Sequence, residues 1–342
     1  MHASPGAPSP GPSPIHANDY NKIASPVTAA HDGWGWIVDL VTEPSARYRS
    51  GPVPPILIFD TFSVFFRAFH ALPPMNTRAG QPTSAVYGMS VLLLKLLREQ
   101  SPKGLCFARD RSEPTFRHVQ YAQYKAQRAP LPDALSSQFA LLDRLLEALG
   151  APVFGVSGFE ADDVIATLTR ELADAGEHVC VVSGDRDLFQ VVRERATVLF
   201  IGRRGQPHVL YDEGAIARRF KLRAEQLPSF VALIGDIADN LIGVSGVGDK
   251  TAQKLIEQFG SVPALLAGLD QVKSASVRDA LRQAADRIQH NELLARLRYD
   301  VPLPAAPRFA PFSAQAKAGL RALFEELEFQ SLVPRLDKLA TS

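Results

Sequence analysis

The chain predicts an α/β protein built on an open, mostly parallel sheet flanked by helices, followed by a helical C-terminal region. Three observations carry this. Short apolar runs such as Ile56–Asp60, Gly104–Ala108 and Val179–Ser183 alternate with helical stretches, acids stand at or just after the ends of those runs, and beyond about residue 211 the pattern turns helical.

Taken in order, residues 1–54 form a low-complexity leader rich in Pro, Gly, Ser and Ala, interrupted by the apolar island Trp34-Gly35-Trp36-Ile37-Val38. The sheet begins at Ile56–Asp60, an apolar run ending in an acid, as a parallel strand does when it delivers a side chain at its carboxyl end. Residues 83–100 place Val86, Met89, Leu93, Leu96 and Leu97 on one helical face, and Gly104–Ala108 is a second strand ending two residues before Asp110. Residues 111–132 break the alternation with a basic, aromatic stretch that has no continuous core face. Residues 135–149 resume as one amphipathic helix, 152–156 as a short strand, and Val179–Ser183 and 198–201 as two more strands. Helices are expected over 212–220, 224–234, 251–259, 261–267 and 274–297, with a packing helix over 317–328 in a tail that starts at 301. The organisation is thus a leader, an α/β core over 55–210, a helical region over 211–300 and a tail over 301–342.

Bulk properties narrow the class. No apolar run approaches the roughly 20 residues that span a bilayer, and with no charged region followed by an apolar core near Met1, a secretory signal is not expected. The two cysteines, Cys106 and Cys180, sit inside strand-like runs and read as core residues of a reducing, cytoplasmic compartment. A formal net charge of +1 neither demands nor forbids nucleic acid, but base gathers around 109–128 and 203–223 while acid is concentrated in tight groups.

The densest acidic group is Glu160-Ala161-Asp162-Asp163, which opens the apolar-periodic helix continued by Val164, Ile165 and Leu168. An acidic first turn is favoured by the helix dipole alone. The other acids carry the argument further. Asp60, Asp110, Asp185 and Asp187 follow strands, whose carboxyl ends line one crevice in an open parallel sheet. Asp236 and Asp239 are three apart, so a helical face could aim both at the same crevice. A pit of these nine carboxylates requires cations, because unpaired buried carboxylates otherwise protonate. With no His-Cys zinc spacing, two magnesium or manganese ions are the expected occupants, and two such ions support phosphodiester hydrolysis.

Two more features point to a polyanion. Gly243, Gly246 and Gly248 stand between two expected helices, in a hairpin over 241–260, where they permit a tight turn whose amides face a phosphate, with Lys250 adding charge beside Thr251. A dinucleotide fingerprint should follow a strand, and here a helix precedes it. In the 111–132 excursion, Lys125 and Arg128 are three apart and could meet a phosphate. Tyr121 and Tyr124 could stack on bases or tether the segment, and a solvated basic surface helix is the plainer alternative. Arg67 is a further candidate phosphate contact.

At this point the residues resemble the 5′-nuclease domain of bacterial DNA polymerase I, within the flap endonuclease superfamily. The stretches are Phe59-Asp60, Phe66-Arg67-Ala68-Phe69-His70-Ala71-Leu72, Ala85-Val86-Tyr87-Gly88, Phe116-Arg117 to Tyr124-Lys125, and Arg128-Ala129-Pro130. They continue with Gly158-Phe159-Glu160-Ala161-Asp162-Asp163-Val164, Gly184-Asp185-Arg186-Asp187-Leu188, Gly235-Asp236-Ile237-Ala238-Asp239-Asn240 and Gly243 to Ala252. The resemblance implies a PIN-like nuclease core and a helix–three-turn–helix DNA clamp at the glycine hairpin, with a monovalent cation such as potassium at the turn. It implies a stand-alone 5′-3′ exonuclease and 5′-flap endonuclease acting on DNA at single-strand/duplex junctions, with RNA primers on DNA also compatible, and giving 5′-phosphate and 3′-hydroxyl products. By the same resemblance Asp60, Asp110, Glu160 and Asp162 hold one metal, and Asp163, Asp185, Asp187, Asp236 and Asp239 hold or support the other. Arg67, Lys125 and Arg128 steer the scissile phosphate, the latter two from an arch over the site. A monomer working beside a separate DNA polymerase is expected. The chain departs from the family at Thr61-Phe62-Ser63, at Phe66 where Tyr is usual, at Ala108-Arg109 before Asp110 and at Ile242 where Pro is usual, none of which removes an expected ligand. A junction-binding protein without catalysis and an RNA nuclease are the competing readings, and nine retained acids favour the enzyme.

Overall fold

The computed structural model describes residues 53–203 and 205–341, so the expected leader, with its Trp34–Val38 island, lies outside the described residues. Six strands form one sheet, β1 (Ile56–Asp60), β2 (Gly104–Ala108), β3 (Val153–Phe154), β4 (Val179–Ser183), β5 (Ala196–Phe200) and β6 (Val209–Tyr211), in the order β3-β2-β1-β4-β5-β6. The first five are mutually parallel and β6 runs antiparallel to β5. The helices that matter for the site are α1 (Thr61–Ala71), α2 (Ser84–Gln100), α3 (Phe116–Gln120), α4 (Phe139–Leu149), α5 (Ala161–Asp174), α6 (Leu227–Ile234), α7 (Asp249–Phe259), α8 (Ala285–Ala295) and α9 (Ala314–Glu326).

The strands are apolar on both faces because both faces are covered. Their period of two divides the sheet: Leu57, Phe59, Leu105, Phe107, Cys180 and Val182 pack toward α1, α2, α4 and α9. Ile56, Ile58, Cys106, Ala108, Val179 and Val181 pack the other way, against Val164, Ile165 and Leu168 of α5. Across the β1–β2 pair, Phe59 and Phe107 stand in register and stack with centroids 4.9 Å apart. A separate core of Phe230, Leu233, Val244, Val247, Leu255, Ile256 and Ile288 holds the helical region together. The tail helix α9 docks on α4, placing Leu320, Leu323 and Phe324 in the first core.

Several expected elements are shorter or broken. The helix expected over 135–149 divides into Asp133–Ser136 and α4, because Gln138 turns its amide back into the gap: its Oε1 accepts from Ala85 N at 2.8 Å and its Nε2 donates to Ala134 O at 2.8 Å. The helix expected over 274–297 divides at Ala284, and that expected over 224–234 opens with a 3₁₀ turn. Asp236 and Asp239 do not share a helix. Gly235–Asp236 pairs antiparallel with Leu241–Ile242, and the Asp236 carboxylate accepts from Ala238 N at 2.7 Å, closing a turn that a helix would not allow.

Strand order reverses direction at β1, whose neighbours β2 and β4 lead to opposite sides of the sheet. In such sheets a crevice opens at the carboxyl ends beside the reversal. Asp60 ends β1, and Asp185 follows β4.

Candidate metal centre and nucleic-acid interface

A cavity of about 480 Å³ lies at that edge, lined by Asp60, Asp110, Glu160, Asp162, Asp185, Asp187 and Asp236, with Arg67, Lys125 and Arg128 on its walls. The structure therefore brings together seven of the expected acids and all three expected phosphate contacts.

Five of the seven lining acids are held by local devices of their own, Asp236 by the turn described above. Asp60 caps α1 through Ser63 N and accepts from the Ser183 hydroxyl at 2.5 Å. Asp110 accepts from Ala161 N at 2.8 Å, at the first turn of α5. Asp185 accepts from Asp187 N at 2.9 Å. Glu160 is the N-cap of α5 and receives Lys125 Nζ at 2.8 Å and the Tyr124 hydroxyl at 3.0 Å. The carboxylates of Asp162 and Asp187 have no hydrogen bond or ion pair among the described residues.

Charge explains the pattern. Burial, then the Ser183 hydrogen bond working against it and the repulsion of Asp185 and Asp110 working with it, leaves Asp60 raised to about 7. Asp162 is raised well above the carboxylate range by burial first, then by Asp185 and Asp60. Asp187 is raised likewise by burial, Asp185 and Asp239. Glu160 goes the other way: burial would raise it, but Lys125 and Arg117 outweigh that and hold it at about 2. Among the described residues no three acids close on a common point at ion-binding distance.

Asp163, expected to hold or support the second ion, is not among the acids that line the cavity. It is fully buried and turned away from the cavity, held by Arg117 at 2.7 and 2.8 Å and by Arg298 N at 2.9 Å. Arg117, the buried cation that the linear pattern did not single out, also donates to Leu294 O at 2.7 Å and Arg296 O at 3.2 Å, tying α3, α5 and the end of α8 together. Asp239 stands outside the cavity lining, bonded to Tyr124 at 2.9 Å and Arg128 at 3.2 Å.

The 111–132 excursion packs inward instead of standing clear. Tyr124 is 3% exposed and its hydroxyl is shared between Glu160 and Asp239, so it is unavailable for stacking on a base. Tyr121 packs edge-on against His290 and donates to Asn240 O at 3.3 Å, which makes it a tether. Lys125 has a left-handed backbone (φ 55°), a conformation costly for a side-chain-bearing residue, and its ion pair with Glu160 repays the strain.

Between α6 and α7 the glycines have separate duties. A Cβ on Gly243 would stand 2.3 Å from Ile234 O, so only glycine lets the turn close on α6. Gly246 has φ +77°, and Gly248 is the N-cap of α7, with its carbonyl accepting from Thr251 N at 2.9 Å. Lys250 is exposed on the first turn of α7 and Thr251 half-buried behind it.

Fold and site together define a nuclease-type protein, in which an acid-lined cavity at a sheet edge sits beside basic walls and a glycine turn. Two family profiles run consecutively along the chain: "5′-3′ exonuclease, N-terminal resolvase-like domain" over residues 55–221 and "5′-3′ exonuclease, C-terminal SAM fold" over 222–317. The chain belongs to the 5′-3′ exonuclease family. It is 39% identical over 306 residues to DNA polymerase I of Mycobacterium tuberculosis, covering 89% of this chain and 34% of that protein. With the thermostable DNA polymerase I of Thermus thermophilus it is 39% identical over 278 residues, covering 81% and 32%. The chain thus spans about a third of the length of these curated relatives. Among solved structures it is similar to the zinc-bound T5 5′-exonuclease, with TM-score 0.58, 21% identity and coverage of 83% of this chain and 99% of that one. It is also similar to the catalytic core of Rad2 in complex with DNA substrate, with TM-score 0.57, 16% identity and coverage of 84% and 92%. At these identities the structural likeness is one of fold.

Proposed function

We propose that the chain is a metal-dependent, structure-specific 5′-3′ exonuclease and 5′-flap endonuclease, hydrolysing DNA phosphodiesters at single-strand/duplex junctions to give 5′-phosphate and 3′-hydroxyl ends. The observation that carries this is the cavity itself, where seven carboxylates meet Arg67, Lys125 and Arg128 at the sheet edge. Family membership and relatives described as bound to metal ions and to DNA support the same reading.

The donor set fits divalent ions. All seven lining acids offer hard oxygen, and neither His nor Cys lines the cavity. Burial and mutual repulsion raise Asp60, Asp110, Asp162, Asp187 and Asp236, so nearby cationic charge is what these groups lack. Asp60, Asp110, Glu160 and Asp162 would hold one ion, and Asp185, Asp187 and Asp236 the other, with Asp239 supporting. Two bound Mg²⁺ or Mn²⁺ ions would supply an activated water and charge stabilisation at the leaving oxygen.

The protein side chains do the positioning. Lys125 and Arg128 now neutralise Glu160 and Asp239. Were bound ions to supply that neutralisation, Lys125 and Arg128 would be free to meet the scissile phosphate, with Arg67 on another wall. The glycine turn and Lys250 would grip the duplex backbone in a helix–hairpin clamp on the PIN-like core, a contact that fixes register without reading bases. The carbonyls of that turn are where a potassium ion would sit. All lining residues come from one chain, so a monomer suffices, and a separate polymerase would extend the 3′-hydroxyl end. A reducing, cytoplasmic setting fits the two buried free cysteines, Cys106 and Cys180.

The test is substrate choice. The protein should cut a 5′-flap duplex near the junction faster than a 3′-flap, a blunt duplex or a single strand, and faster than an all-RNA duplex. Equal cutting of single strands and flaps, or preference for RNA, would remove the junction-specific reading.

A further inference from the structure

The lining of the cavity includes two more guanidinium groups, on Arg186 and Arg203, together with Gln206. Arg186 lies between Asp185 and Asp187, and Arg203 in the segment after β5. Neither side chain makes a hydrogen bond or ion pair with any described residue. Arg67 lines the same cavity. One of its terminal nitrogens donates to Gly184 O and its guanidinium lies 5.5 Å over the Phe200 ring, while the other, Nη1, is buried with no partner. Arg203 and Arg186 each lie close enough to press on the Arg67 charge. Asp185 and Asp60 offset part of that repulsion, but three guanidinium groups lining one cavity, one of them with a buried donor left open, still favour a bound anion.

We infer that Arg203 and Arg186, with the open Nη1 of Arg67, form a second phosphate-binding point for the nucleic acid strand, separate from the one at Lys125 and Arg128. The inference rests on the nuclease reading above and deepens it. Its position follows from the sheet. The excursion bearing Lys125 and Arg128 hangs from the end of β2, and Arg203 follows β5, three ladder steps away in the order β2-β1-β4-β5. At a spacing of roughly 4.8 Å per step that is about 14 Å, a few nucleotides along a strand. The ligand is therefore a backbone phosphate flanking the one that is cut, and the two points together would fix how far the strand advances past the ions. Placing the strand would be the work of Arg203; bond breaking would remain with the acids and Lys125.

Arg203 is exposed, so its replacement leaves the core untouched. The test measures Arg203→Gln beside the unaltered protein for 5′-flap binding in calcium and cleavage in magnesium, at several salt concentrations. A set of flap substrates carries one neutral methylphosphonate in place of each phosphate within about four nucleotides of the cut. Expected are binding at least about tenfold weaker, a salt slope smaller by about one unit, and a shifted or blurred cut position. One methylphosphonate should weaken the unaltered protein as much as the substitution does, with no further loss when the two are combined. Unchanged binding and cut position in Arg203→Gln, or full additivity with every methylphosphonate, would overturn the inference while junction cutting by the unaltered protein stands. Failure of the unaltered protein to cut would instead remove the nuclease reading on which the inference depends.

Discussion

Arg117 grips Asp163 through both carboxylate oxygens, Nη1 to Oδ2 at 2.7 Å and Nη2 to Oδ1 at 2.8 Å, with both side chains shut off from solvent. One residue away along the same helix, Asp162 lines the cavity with no such partner. The two neighbouring acids thus have opposite tasks. Asp163 joins the excursion and the end of α8 to α5 through Arg117, and Asp162 is the one proposed above as a cation ligand.

Removing one member of a buried pair strands the other, at a cost of about 3–5 kcal/mol. Asp163→Asn and Arg117→Gln should each lose stability on that scale in urea unfolding. An Asp163→Asn protein of normal stability that no longer responds to divalent ions would return Asp163 to the ligand set.

Asp162→Asn should behave in the reverse way. It removes a charge raised by burial and by Asp185 and Asp60, so without divalent ions its melting temperature should equal or exceed that of the unaltered protein. Thermal melts with and without calcium test this. The unaltered protein should gain more from calcium than the variant, and an equal gain in both would count against Asp162 as a ligand.

Lys125→Ala should slow single-turnover flap cleavage by about 10²-fold, the usual effect of removing one charge-stabilising donor. Binding in calcium should fall much less, because the proposed duplex grip at the glycine turn is untouched by this substitution. A rate within twofold of normal would show that Lys125 serves only to neutralise Glu160.

At the turn, Gly243→Ala should push the backbone off Ile234 and weaken duplex binding, since the new methyl would stand 2.3 Å from a carbonyl oxygen. Lys250→Ala should flatten the salt slope of binding by about one unit with the turn intact. Anisotropy titrations at several salt concentrations separate the two. Normal binding by both variants would place the duplex elsewhere.

His208 gives a pH prediction away from the acids. Burial, then Lys95 and Arg67, lowers it from 6.5 to about 4, and its Nδ1 accepts from Gly202 N at 3.1 Å in the neutral form. The unfolded chain takes up the proton first as pH falls, so the folded state loses stability between 6.5 and 4, by at most about 3 kcal/mol. His208→Gln should flatten that part of the stability profile, and an unchanged profile would contradict it.

Much of this was legible in the chain. Ile56–Asp60, Gly104–Ala108 and Val179–Ser183 are strands over the residues the apolar runs delimit, because a sheet covered on both faces needs uninterrupted apolar sequence. The acids after those strands line one cavity because the five parallel strands send their carboxyl ends to one edge. What the linear pattern did not supply was direction. Glu160, Asp162 and Asp163 look equivalent along the chain, and only the long-range partner Arg117, 46 positions before Asp163, separates them. Tyr124 could equally have stacked on a base or tethered its segment, and only its hydroxyl, shared between two acids from distant segments, favours the tether. Asp236 and Asp239 suggested a helical face, while the side chain of Asp236 closes a turn on its own backbone neighbours. Local periodicity carries no information on which distant charge a side chain will meet.

The most direct measurement is cleavage of an end-labelled 5′-flap duplex with and without magnesium, beside Asp185→Ala and Asp187→Ala. The account predicts cutting near the junction only with magnesium or manganese, and its loss in both variants while junction binding in calcium survives. Tight junction binding with no cutting under either ion, or cutting that persists in both variants, would contradict it.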